Sequence, residues 1–127
     1  MSIIKGIHHI SMKTCNEEEY ERVVDFYTNI LELEIARTWE HGIMFDTGSG
    51  IVEIFKNGDE QPSKGVIRHL AFAVDDVDIC VKKVTEAGYE VFKGPTDIEI
   101  PSNPVFPARM AFCYGPLGEE VEFFQER

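Results

Sequence analysis

The sequence predicts an α+β protein made of two related halves, each running strand, helix, then short strands. Three observations predict it. A strand-like opening with a histidine at a matching place occurs once in each half. An amphipathic helical stripe follows each opening. Each half then closes on a near-identical segment, Val52-Glu53-Ile54-Phe55 and Val121-Glu122-Phe123-Phe124. Self-similarity at this level signals an internal repeat.

The first opening is Gly6-Ile7-His8-His9-Ile10-Ser11-Met12. Strand alternation puts His9 on one face with Ile7 and Ser11, and His8, Ile10 and Met12 on the other. Asn16, with Glu19 three residues on, predicts a capping-box helix start. Tyr20, Val23, Val24, Tyr27, Ile30 and Leu31 then fall on one helical face. Short strands follow and end at Glu53. The second opening is Val66-Ile67-Arg68-His69-Leu70-Ala71-Phe72-Ala73-Val74, with His69, Ala71 and Ala73 sharing a face. Asp75 or Asp76 caps the next helix, whose stripe is Val77, Cys80, Val81, Val84 and Ala87; Gly88 is placed to end it.

The second half carries about nine extra residues, assigned to 94–109. Pro95, Pro101, Pro104 and Pro107 predict a loop there rather than a regular strand. The organisation expected is one domain, 1–127, with a first module at about 3–56, a linker at about 57–65 containing Asn57-Gly58 and Pro62, and a second module at about 66–127.

The chain has 127 residues and 43% apolar content, enough to bury one real core. A net charge of −11 argues against a nucleic-acid partner, whose phosphates call for an arginine and lysine field. No apolar run approaches the ~20 residues that span a bilayer, and Met1–Ser11 lacks the pattern of a secretory leader. A cytoplasmic protein with no membrane partner is expected. Cys15, Cys80 and Cys113 are widely spaced and odd in number, which predicts reduced thiols and, for Cys80, a packing role.

Taken singly, Glu53 and Glu122 read as solvent-facing residues, and His9 and His69 as satisfied core histidines. Two equivalent histidines with two equivalent glutamates read differently. Paired halves would bring His9, Glu53, His69 and Glu122 toward one divalent metal, whereas His8 and His41 lack counterparts and are set aside. Two imidazoles and two carboxylates with open positions suit nickel, cobalt, manganese or zinc. Such an ion acts as a Lewis acid toward two vicinal substrate oxygens and stabilises an enediolate. A glutamate beside it is the expected base: Glu122, with Glu53 its counterpart.

These strand openings resemble the vicinal oxygen chelate superfamily, as do Asp25-Phe26-Tyr27-Thr28-Asn29-Ile30-Leu31-Glu32-Leu33 and Tyr114-Gly115-Pro116-Leu117-Gly118-Glu119-Glu120-Val121-Glu122. That superfamily includes glyoxalase I, methylmalonyl-CoA epimerase, extradiol dioxygenases, and fosfomycin- and bleomycin-resistance proteins. The resemblance implies two βαβββ modules forming a cupped, mostly antiparallel sheet, and a homodimer. Glu32 departs from it where glycine is common, and Gly115 where aspartate is common.

The four-residue set is similar to that of glyoxalase I. It implies isomerisation of a thiol hemithioacetal of methylglyoxal, or a related 2-oxoaldehyde, to a 2-hydroxyacyl thioester, with a low-molecular-weight thiol as co-substrate. Arg37 and Arg109 are the candidates to hold a substrate carboxylate, and Trp39, Phe45, Phe106 and Met110 to line the cup. The rival readings are a methylmalonyl-CoA epimerase-like isomerase, an extradiol dioxygenase, which the extra Glu and the short chain disfavour, and a non-catalytic drug- or metabolite-binding resistance protein.

Overall fold

A computed structural model describes residues 6–58, 65 and 67–127. The start of the first module at about residue 3, most of the linker including Pro62, and Val66 at the head of the second opening lie outside the described residues. The chain divides into two compact units, Met1–Ser63 and Lys64–Arg127. Both are built on one plan, strand–helix–three strands, in an α+β arrangement.

In the first unit β1 (His9–Lys13) leads into α1 (Glu17–Asp25), whose last turn widens into a π-helical segment, Phe26–Ile30. Then come β2 (Glu34–Trp39), β3 (Gly42–Asp46) and β4 (Ile51–Phe55). The sheet order is β1-β4-β3-β2, with β1 parallel to β4 and the other pairings antiparallel. In the second unit β5 (Leu70–Ala73), α2 (Val77–Glu86), β6 (Val91–Ile100), β7 (Phe106–Tyr114) and β8 (Glu120–Glu126) repeat the order as β5-β8-β7-β6. Each sheet is therefore mixed, with one parallel pairing among antiparallel ones. That parallel pairing follows from the helix, because a crossover is needed between parallel strands.

The caps fall where the sequence puts them. Asn16 accepts from the Glu19 N–H at 2.8 Å, and the Glu19 carboxylate reaches back to the Cys15 N–H at 2.8 Å. Of the two candidates for α2, Asp76 is the cap, accepting from the Ile79 N–H at 3.2 Å. Replacing Asn16 with Ala is expected to cost about 1 kcal/mol in a urea titration, because the first-turn amides lose their acceptor.

Gly88 ends α2 at φ 92°, with the Tyr89 N–H returning to the Val84 carbonyl at 3.0 Å. Glu32 follows the first helix in the same backbone region, at φ 61°. This gives the glycine common at that place in the superfamily a physical reason: a side chain there costs about 1–2 kcal/mol. Glu32→Gly should raise stability by roughly 0.5–1 kcal/mol once glycine's greater unfolded freedom is subtracted, readable as a higher Tm. The second departure also has a structural reason. A Cβ at Gly115 would meet the Glu119 carboxyl, which caps the Leu117 N–H at 2.7 Å across the β7–β8 turn.

The helical stripe and one sheet face form the core of the first unit. Val23, Phe26 and Tyr27 are fully buried against Ile43, Phe45, Val52 and Ile54, and Tyr27 stacks on Phe45 with centroids 5.5 Å apart. In the second unit Val77 and Val84 of α2 are buried, as are Ala111, Cys113, Val121 and Phe123 of β7 and β8, on which the helix packs. Burial pushes the Cys113 thiol up to about 12.

One expectation is corrected. Within 94–109 only 101–105, with Pro101 and Pro104, are a loop; the rest extends β6 and β7 into a hairpin with strands of 10 and 9 residues. Pro95 is accommodated because β6 is an edge strand, and its register shifts between Lys93 and Thr96.

Candidate metal centre

The parallel pairing of the first and last strands in each unit sets the His–Glu geometry. Ser11 lies opposite Glu53, and Ala71 lies opposite Glu122. In each case the histidine is two residues earlier, His9 as the first residue of β1 and His69 immediately ahead of β5. His9 Nε2 thus stands 3.6 Å from Glu53 Oε1, and His69 Nε2 stands 3.2 Å from Glu122 Oε1.

Burial decides between the two readings of each glutamate. Glu53 is 6% and Glu122 8% exposed, so neither is a solvent-facing strand residue. A carboxylate taken out of water needs a cationic or hydrogen-bonding partner. An imidazole Nε2 and a carboxylate oxygen facing each other at 3.2–3.6 Å leave both lone-pair donors directed toward one place. The histidines are half-exposed, so each pair has a buried end and an open end. Each unit pairs one imidazole with one carboxylate, donor types that suit a divalent ion of the nickel-to-zinc group. Among the described residues no group of three or more His, Cys, Asp or Glu that could hold a metal is found. Each unit offers two donors.

His69 is steadied by an edge-to-face contact with Phe112, centroids 5.2 Å apart. His9 is steadied differently: its Nδ1 hydrogen-bonds His8 Nδ1 at 2.9 Å. Strict alternation would turn His8 away from His9, yet His8, which precedes β1, has its Nδ1 against the His9 ring.

Arg109 requires a correction. It lies opposite Gln125, three residues from Glu122 on β8, and so on the sheet face opposite to Glu122. There its guanidinium grips Asp78 of α2 through two hydrogen bonds, 2.8 and 2.9 Å, and Asp97 through a third at 3.0 Å. These carboxylates raise the Arg109 pKa, and Arg109 holds the Asp78 carboxyl below the usual carboxylate range. The stabilisation from that depressed Asp78 value is present above the ordinary carboxylate range. It is lost as the pH falls through the lowered folded-state value. Arg109 ties helix to sheet, and Arg109→Gln is expected to leave substrate KM unchanged in steady-state assays. Phe45 is corrected likewise, since its ring lies in the helix-facing core.

Arg37 is exposed on β2, opposite Met44, which lies opposite Glu53. Arg37, Met44, Glu53 and Ser11 form one row on one face. Lys93, Phe112, Glu122 and Ala71 form the same row in the second unit, after a register shift at the same point of the edge strand. Sequence reasoning misses Lys93, although Glu32-Leu33-Glu34-Ile35-Ala36-Arg37 and Gly88-Tyr89-Glu90-Val91-Phe92-Lys93 are a further repeat that could have found it. Trp39, at the end of β2, sits edge-to-face on Phe55 at 5.7 Å, on the Glu53 side. Met110 and Phe106 fall on the Glu122 side, with Phe106 against Phe124 at 5.9 Å.

Residues 6–123 match the Glyoxalase/Bleomycin resistance protein/Dioxygenase superfamily. The chain belongs to this superfamily. Among curated proteins it is similar to YwkD of Bacillus subtilis (strain 168), an uncharacterized protein, with 27% identity over 98% of this chain and 99% of that one. Its fold is similar to that of a glyoxalase family protein from Enterococcus faecalis, with 23% identity, TM-score 0.73 and coverage of 97% and 99% of the two chains. It is also similar in fold to TnmS3, an antibiotic binding protein from Streptomyces sp. CB03234, with 19% identity, TM-score 0.73 and both chains fully covered. Proteins similar in fold to this chain are thus named both for a glyoxalase family and for binding. No helix among the described residues is long and apolar enough to cross a membrane.

Proposed function

We propose that this chain is a metal-dependent lyase of glyoxalase I type. His9, Glu53, His69 and Glu122 hold one nickel, cobalt, manganese or zinc ion, within one chain or across a homodimer, in the cytoplasm. The substrate is the hemithioacetal of a 2-oxoaldehyde such as methylglyoxal with a low-molecular-weight thiol, and the product is a 2-hydroxyacyl thioester. The observation that carries this reading is the repetition of a buried glutamate facing an imidazole Nε2, at the same strand register, in both units.

A divalent ion held there supplies Lewis-acid stabilisation of negative charge on vicinal substrate oxygens. Glu122 takes the proton from the hemithioacetal carbon and returns it to the adjacent carbonyl carbon, while the hydroxyl proton passes from the first carbon's oxygen to the second's; the step is an internal redox isomerisation with no net proton change. His69, edge-to-face with Phe112, keeps its Nε2 directed at Glu122. Arg37 and Lys93 stand two strands from the glutamates, about 10 Å away by strand spacing, and hold an anionic end of the thiol part. Arg37→Gln is expected to raise KM about tenfold with little change in kcat.

The deciding experiment is elemental analysis of wild type and of His69→Ala with Glu122→Ala, with hemithioacetal turnover followed on the same samples. About one metal per site, lost together with turnover in the double variant, supports the proposal. Metal without turnover keeps the site and shifts the reaction to an epimerase-type isomerisation. Absence of metal under every loading condition overturns the four-ligand site in favour of a binding protein.

A further inference from the structure

The geometry points to His8 as a positioning residue for the metal site, acting through His9; this rests on the metal reading above. The two histidines of the site are supported unequally. His69 has an aromatic neighbour, whereas His9 has a polar one, the Nδ1 of His8 at 2.9 Å with the rings nearly perpendicular at 84°. The backbone holds His8 in place, because its carbonyl accepts from the Ile51 N–H at 3.0 Å and so extends the β1–β4 pairing by one residue.

Two ring nitrogens 2.9 Å apart need one proton between them, and a neutral imidazole carries one proton in all. When His9 Nε2 binds a cation, its proton must sit on Nδ1, and His8 Nδ1 is the acceptor. When His9 Nε2 instead keeps its proton toward Glu53, its Nδ1 is the acceptor and His8 Nδ1 the donor. His8 can serve in both states because imidazole nitrogen gives or takes a hydrogen bond, which a carbonyl or a carboxylate cannot. The exchange moves one proton from Nε2 to Nδ1 on His9 and one from Nδ1 to Nε2 on exposed His8. Neither ring changes its proton count. A group that holds the far ring nitrogen of a ligating histidine typically changes metal affinity by about 10–100-fold.

The test compares wild type, His8→Ala and His8→Asn by zinc titration, together with nitrogen-15 NMR of the imidazole rings before and after zinc. His8→Ala should weaken zinc about tenfold or more, and His8→Asn should recover most of it, because its amide offers both a donor and an acceptor. In wild type the His9 proton should move to Nδ1 on zinc addition. Unchanged zinc affinity in His8→Ala overturns the proposal, and so does Asn failing to recover what Ala loses. Wild type that binds no zinc, nickel, cobalt or manganese overturns the four-ligand site first, and this proposal with it.

Discussion

Glu122→Gln is expected to lower kcat for hemithioacetal isomerisation by about 10²–10⁴-fold, the usual contribution of a positioned general base. That corresponds to roughly 3–5 kcal/mol of barrier. The amide oxygen can still face His69 Nε2, so metal content by elemental analysis should fall far less than turnover. Glu53→Gln is the matched control, because Glu53 has the same burial and register relation to His9. Its main effect should be on metal affinity. A kcat loss concentrated in Glu53→Gln would transfer the base role to Glu53 and leave the site intact.

Phe45→Ala is the largest expected stability effect. The ring is fully buried, pairs in register with Ile35 and Val52, and stacks on Tyr27. Removing it should cost about 3–5 kcal/mol in a urea titration, out of a typical total of about 5–15 kcal/mol. The folded fraction should keep its metal and its KM, because neighbouring Met44, and not Phe45, lies in the row of Glu53. A cost below about 1 kcal/mol with an altered KM would return Phe45 to the substrate face.

Much of the local architecture is legible in the amino-acid sequence. Helix starts and stops depend on local chemistry, so Asn16 with Glu19, Asp76 and Gly88 act where their spacing places them. Alternation is also local, which is why His9 and Ser11 emerge together on one side of β1. The repeat of a His strand and a terminal glutamate identifies both His–Glu pairs, since equivalent strands in equivalent units pair in equivalent register.

Other features depend on which residues stand across a ladder. Prolines at 95 and 107 hide β6 and β7, because sequence does not say that β6 lies at an edge where proline is tolerated. With the strand hidden, its parity cannot be counted, and Arg109 falls among the substrate candidates instead of on the far face with Asp78. His8 is set aside for want of a counterpart in the second half, and its side-chain contact with His9 is one that neither the repeat nor alternation shows.

By itself the sequence determined the twofold repeat, the helix start at Asn16 and stop at Gly88, and the likeness of His9 to His69 and of Glu53 to Glu122. Those features follow from contacts within a few residues or from likeness between halves. The burial of Glu53 and Glu122, the removal of Arg109 and Phe45 from the site face, and the contact of His8 with His9 were decided only by the tertiary structure. A period of two tells which residues share a face, but the helix that covers one face of each sheet decides which residues are left to do chemistry.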